Sequence, residues 1–170
     1  LIADEPTTAL DVTIQRQVLD VLVAEQRSRA MAMVLVTHDL GVVAGRTDDT
    51  AVMYAGRFVE RAPTRQLFAN PRMPYTEALM RSMPRLADPS GTRLHAIGGR
   101  PPSLIAPPPG CRFAPRCEHA RSRCREAEPP LVEASAGHSY RCWYPLGADA
   151  EADRRPASVA ITPRATSPCQ

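Results

Sequence analysis

Lysine does not occur in these 170 residues; all 21 basic side chains are arginine. A phosphate-binding loop of the form G-x-x-x-x-G-K-[ST] uses its lysine to reach the terminal phosphates of a nucleotide. No complete loop of that kind therefore lies in this sequence. Aromatic residues are also scarce, at 5%. Long apolar runs are missing. The longest apolar stretches, Met31–Val36 and Val18–Ala24 with Asp20 within it, fall far short of the roughly 20 apolar residues of a membrane-crossing helix. Residues 1–11 lack the basic start and cleavage site of a signal peptide. A soluble or peripheral protein is the expectation. The formal net charge of +3 is small and no basic run stands out, which argues against nucleic acid as a partner.

What the sequence does contain is ordered along the chain. Hydrophobic content is an ordinary 44%, and the 18 prolines are concentrated after residue 100. Residues 1–4 read as the end of a buried strand. Val12 to about Arg29 reads as a helix, with Asp11 as N-cap and Ile14, Val18, Val21 and Leu22 at helical spacing. Met31–Val36 is a continuous apolar run that suits a second buried parallel strand. Asp39 can cap a short helix, Leu40–Ala44. Ala51–Tyr54 and Arg57–Glu60 flank Ala55-Gly56 as a hairpin. Thr64–Ala69 and Tyr75–Met83 read as short helices, the second after Pro74. Strand, helix, strand, helix implies an α/β domain with parallel strands. Residues 84–110 read as a linker or extended segment. Residues 147–170 lack periodicity and read as a disordered tail.

Two acids close the first strand. Asp4 and Glu5 follow Leu1-Ile2-Ala3 directly, and His38 follows the second strand. In open parallel sheets, chemistry gathers at the carboxyl ends of strands, so these side chains are expected at one edge. The pattern suits metal-assisted phosphate chemistry. The first acid can hold Mg²⁺, through water because Mg²⁺ keeps its hydration shell. The second can orient or deprotonate an attacking water. The histidine can reach the transferred phosphoryl group. For Asp-Glu-Pro alone, an acidic turn capping the next helix is the plainer reading. Thr7-Thr8-Ala9-Leu10-Asp11 behind it, and Thr37-His38-Asp39 one helix and one strand later, favour the chemical one.

Cys111, Cys117, Cys124 and Cys142 form a second constellation. Disulfides would need an oxidising compartment. Structural zinc usually shows a C-x₂₋₄-C knuckle, and iron–sulfur clusters a C-x₂-C run; neither is present. A short Pro-rich segment with few large apolar residues does favour a staple, because it buries too little core by itself. Cys169 stands alone as a free thiol. His119 and His138 could replace a ligand in a zinc site, but these and His95 read rather as solvated loop histidines. Arg112, Arg116, Arg121, Arg123 and Arg125 make the region basic, either as a solvated face or to offset thiolate charge.

These residues carry a family resemblance. Leu1-Ile2-Ala3-Asp4-Glu5-Pro6-Thr7-Thr8-Ala9-Leu10-Asp11 resembles the Walker B and D-loop stretch of ABC-transporter ATPases. Val36-Thr37-His38-Asp39 resembles their switch-histidine loop. Ala51-Val52-Met53-Tyr54-Ala55-Gly56-Arg57 and Pro74-Tyr75-Thr76-Glu77-Ala78-Leu79 look like the ATP-binding subunits of oligopeptide/dipeptide importers. Gly110-Cys111-Arg112-Phe113-Ala114-Pro115-Arg116-Cys117, with Cys124, Pro129-Pro130-Leu131 and Cys142, looks like their C-terminal extension. The likeness covers residues 1 to about 145, with departures at Thr47–Thr50, Arg61-Ala62-Pro63 and Met73.

The resemblance implies an incomplete P-loop NTPase domain over residues 1–83, then the linker at 84–110, the cysteine-containing extension at 111–146 and the tail at 147–170. It implies Asp4 as the Mg²⁺-associated acid, Glu5 as catalytic base and His38 as γ-phosphate sensor. Asp11 would belong to a D-loop that faces a second ATP-binding subunit. Cys111, Cys117, Cys124 and Cys142 would hold a 4Fe-4S cluster, or zinc. The family's phosphate loop, Q-loop and signature motif are not among these residues, so the chain alone is not expected to hydrolyse ATP. The function implied is the energising of peptide uptake at the cytoplasmic face of a membrane. Its partners would be membrane-spanning permease subunits and, indirectly, an extracytoplasmic peptide-binding protein. The rival reading is a non-catalytic remnant or a cysteine-rich metal-binding module.

Overall fold

The computed structural model describes residues 1–84, 96–135 and 137–147. His95, Cys169 and all but the first residue of the expected tail lie outside the described residues. The chain divides into two compact units, Leu1–Thr47 and Asp48–Gln170. No helix among the described residues is long and apolar enough to cross a membrane.

The first unit runs β1 (Ile2–Asp4), α1 (Val12–Ser28), β2 (Val34–Val36) and α2 (Leu40–Val43). β1 and β2 pair in parallel, with Ala3 opposite Leu35 and Asp4 opposite Val36. Both strands therefore end at the same edge, as a βαβ crossover requires. α1 starts where expected. Asp11 stays extended, and its carboxylate accepts from the backbone N–H groups of Thr13 and Ile14, both at 3.0 Å. The inward stripe is Leu19, buried, with Val18, Leu22 and Val23 half-buried; Ile14 and Val21 face outward. The sequence reading made both strands buried. The structure corrects this: Ile2 is 77% and Val34 57% exposed, and only Ala3 is buried. A parallel strand is buried by neighbours and by helices on both faces, and among the described residues each of these strands has one neighbour.

The second unit is built on an antiparallel sheet ordered β3–β4–β6–β5. Its strands are β3 (Asp49–Tyr54), β4 (Arg57–Pro63), β5 (Val132–Ser135) and β6 (His138–Tyr140). Between β4 and β5 come α3 (Thr64–Ala69), α4 (Pro74–Arg81), a 3₁₀ turn (Ala114–Arg116) and α5 (Ser122–Glu126). β3 alternates strictly, with Thr50, Val52 and Tyr54 inward. β4 does not, because of a β-bulge. Val52 pairs with Glu60 and Met53 with Phe58, leaving Val59 as the extra residue. The bulge turns both Val59 and Glu60 inward. The expected hairpin is present and longer than the sequence reading made it.

The cysteine-containing segment shares this unit's core. Phe113 is buried and packs its ring against Tyr54 and Tyr75, with centroids 5.3 and 5.1 Å away. Val52, Val59, Leu67 and Met73 complete that core. β6 then pairs with β4, Glu60 opposite Tyr140 and Arg61 opposite Ser139. So the segment read as a loop-rich extension contributes two strands and a core aromatic to one sheet.

Glu60 and His138 correct the sequence reading most directly. His138 was expected to be a solvated loop residue, yet it lies on β6 at 1% exposure. Its Nε2 is 2.8 Å from Glu60 Oε1. Glu60 is equally buried and accepts from the backbone N–H groups of Arg72 at 2.6 Å and Met73 at 3.1 Å. A buried carboxylate needs such partners, and this one ties β4, β6 and the segment before α4 together.

Candidate functional site

Two groups of chemistry-bearing side chains stand out, one in each unit. The first lies at the carboxyl edge of the β1–β2 pair. Glu5 follows β1, and its N–H donates to the Val36 carbonyl at 2.9 Å, so the chain stays in register past the strand end. It then turns sharply. Glu5 has φ +44° and Ala9 φ +63°, left-handed values that cost a non-glycine residue about 1–3 kcal/mol each. The turn is closed by Thr8 N–H donating to the Glu5 carbonyl at 3.2 Å.

That turn presents the Glu5 carboxylate to two partners. His38, carried past the end of β2, places Nδ1 3.1 Å from Glu5 Oε1. Thr8 donates its hydroxyl to Glu5 Oε2 at 2.9 Å. Hydrogen bonding from His38, and then from Thr8, holds the Glu5 carboxyl below its ordinary value. An ionised carboxylate only accepts, so Nδ1 carries the hydrogen here. The loop after His38 is fixed by Asp39, whose Oδ1 accepts from Gly41 N–H at 2.8 Å and whose Oδ2 accepts from Gln15 Nε2 at 3.4 Å. Asp4 is exposed at the end of β1, and Asp11 is engaged as the cap of α1. Glu5 and His38 thus meet, and Asp4 stands beside Glu5 in the chain. Thr8 and Gln15 are partners that motif reading did not single out; the hydroxyl three residues after an acid was the available signal.

The second group is the four cysteines, all free thiols. Cys111 precedes the 3₁₀ turn, Cys117 follows it, Cys124 lies on α5 and Cys142 follows β6. All four line one small cavity, together with Met73, Phe113, His119, Trp143 and Tyr144. Cys111 N–H donates to the Cys124 carbonyl at 2.8 Å. Gly110 allows this approach, because a Cβ there would overlap the carbonyls of Cys124 and Arg125. Burial pushes the Cys111 and Cys117 thiols up, and the Cys142 thiol up to about 12. Among the described residues, no three His, Cys, Asp or Glu side chains are grouped closely enough to hold one metal ion. The four cysteines line a shared space without the tight cluster that a single zinc ion demands.

The family of the oligopeptide/dipeptide transporter C-terminal region matches residues 59–124. A putative peptide import ATP-binding protein of Brucella ovis is 50% identical over 155 residues, covering 87% of this chain and 46% of the relative. The oligopeptide transport ATP-binding protein of Mycobacterium tuberculosis is 51% identical over 142 residues, covering 84% of this chain and 23% of that protein. The dipeptide transport ATP-binding protein of Bacillus subtilis is 48% identical over 143 residues, covering 84% and 42%. Over most of its length the chain is similar to ATP-binding proteins of oligopeptide/dipeptide transporters. It spans about half the length of the first of these relatives and under a quarter of the second. The family match runs from the bulge of β4 to Cys124. It therefore covers the hairpin's second strand and three of the four cysteines.

Proposed function

We propose that these residues serve the ATP-hydrolysing subunit of a peptide importer, within an ABC-type P-loop NTPase fold. The contact between Glu5 and His38 at one strand edge carries this reading. Glu5, ionised and held from two sides, takes a proton from a water molecule. The water oxygen bonds to the γ-phosphorus as the bond to the bridging oxygen breaks, giving ADP and phosphate. His38 Nε2 faces the γ-phosphoryl group. Asp4 would hold Mg²⁺ through water, and a bound Mg²⁺ supplies neutralisation of phosphate charge. Thr8-Ala9-Leu10-Asp11 would face a second ATP-binding subunit. Membrane-spanning permease subunits at the cytoplasmic face, fed by an extracytoplasmic peptide-binding protein, would turn the cycle into uptake. In the full-length subunit, Glu5→Gln is expected to lower ATP turnover by about 10²–10⁴-fold, the usual worth of a general base. Unchanged turnover would sink the assignment.

The four thiols suit a 4Fe-4S cluster as donors, since such clusters take four cysteine thiolates and all four line one cavity. Cys111, Cys117, Cys124 and Cys142 would hold it. A bound cluster supplies a redox-active, covalent staple for a segment that is poor in core. Anaerobic purification should give a brown protein with about four iron atoms per chain. A colourless protein containing zinc refutes the cluster.

A further inference from the structure

Cys142 reaches the thiol cavity by a different route from its three companions. Cys111, Cys117 and Cys124 lie within fourteen residues of chain and are linked by local backbone bonds: Cys117 N–H to Ala114, Cys124 N–H to Arg121, and Cys111 N–H to the Cys124 carbonyl. Cys142 arrives on the segment leaving β6. Backbone bonds pin that segment at its ends, Arg141 N–H to the Val59 carbonyl at 2.8 Å and Leu146 N–H to the Arg72 carbonyl at 2.9 Å; between them it is held by contacts from Trp143 and Tyr144. The Arg123 guanidinium carbon lies 3.7 Å from the Trp143 ring centroid. That of Arg121 lies 4.2 Å from the Tyr144 ring. Trp143 Nε1 also donates to the Ala127 carbonyl at 2.9 Å. Both arginines flank Cys124 on or beside α5, and both rings line the cavity next to Cys142.

We infer that Arg121 and Arg123 are positioning residues: by gripping Tyr144 and Trp143 they hold the Cys142 thiol over the cavity formed by the other three cysteines. The inference rests on reading the four thiols as one site, but it is stated for the metal-free chain. The grip works from α5, which carries Cys124, so it sets the separation of Cys124 from Cys142. The separation of Cys111 from Cys124 is set by their own backbone bond.

A short bifunctional reagent reads both separations. With a propane-bridged bis-methanethiosulfonate, each thiolate displaces methanesulfinate and forms a disulfide to the bridge. Peptide mapping by mass spectrometry then counts Cys124–Cys142 and Cys111–Cys124 bridges in the reduced, metal-free protein. Arg123→Gln and Arg121→Gln should each slow the Cys124–Cys142 bridge by about 2–5-fold, and the double variant by about tenfold, from the usual strength of one cation–π contact. Arg123→Lys keeps a cation over the ring and should restore most of the rate. The Cys111–Cys124 bridge should stay at the wild-type rate throughout. Loss of both bridges in the double variant, or of neither, overturns the inference. Reconstitution of the wild type with ferrous iron and sulfide separates this from the cluster reading. A chain that takes up no iron but shows the arginine-dependent bridge refutes the cluster and keeps the positioning role.

Discussion

Glu60 shows how one side chain can organise a sheet without any chemistry of its own. Its two oxygens serve two backbone N–H groups and the imidazole of His138, all in a place with almost no water. Removing the carboxylate leaves these partners buried and unsatisfied, at about 1–3 kcal/mol for each orphaned group. Glu60→Ala is therefore expected to destabilise the protein by about 3 kcal/mol or more, read as a fall in the urea midpoint. Glu60→Gln keeps one accepting oxygen and should cost less. A loss of under about 0.5 kcal/mol in Glu60→Ala, the range of ordinary surface changes, would show that the contacts are not needed. None of this was legible in the sequence, where a glutamate in a strand reads as solvent-facing and a histidine 78 positions away reads as a loop residue. Glu5 and His38 were legible, because their neighbours fix them in a short linear pattern. The Thr8 hydroxyl on Glu5 needed the turn geometry.

Among the elements, those with a local cause were the ones the sequence announced. α1 has its cap and its apolar stripe within 17 residues, and the β3–β4 hairpin has its turn between alternating strands. β5, β6 and α5 were not announced. β6 is three residues long and exists because β4 offers it an edge; α5 is five residues packed by Cys124. Short elements of this kind draw stability from tertiary packing, not from propensity. The approach of α5 to Cys111 depends on Gly110, which has no room for a side chain. The obstructing atoms are main-chain carbonyls, which do not swing aside. Gly110→Ala is expected to cost about 1–3 kcal/mol by overpacking and to weaken the Cys111–Cys124 backbone bond. Thermal denaturation of the metal-free variant tests the first effect, and faster hydrogen exchange of the Cys111 amide tests the second. A variant as stable as the parent, with unchanged exchange, would mean that α5 gives way freely.

At the scale of the whole molecule, the two units differ in what they can support. The second has a continuous core of Val52, Tyr54, Val59, Ala62, Leu67, Met73 and Phe113, with aromatic contacts and a buried carboxylate node. The first buries only Ala3, Leu19, Val42 and Val43 among its apolar side chains and leaves Ile2, Val12, Val21 and Val34 more than half exposed. A chain of under about 50 residues with so little burial does not offset its conformational entropy. The chain divides into compact units at Thr47, and β6 returns from residue 138 to pair with β4, a long-range pairing that composition does not report. A polypeptide of residues 48–147 is therefore expected to fold alone, with strand-type circular dichroism and one cooperative urea transition. A polypeptide of residues 1–47 should show neither a cooperative transition nor protected amides, so that the Glu5–His38 contact depends on packing beyond that stretch. Cooperative unfolding of the 1–47 piece would show that its exposed strands are self-sufficient. A non-cooperative 48–147 piece would show that the core around Phe113 is too small to stand without the first unit.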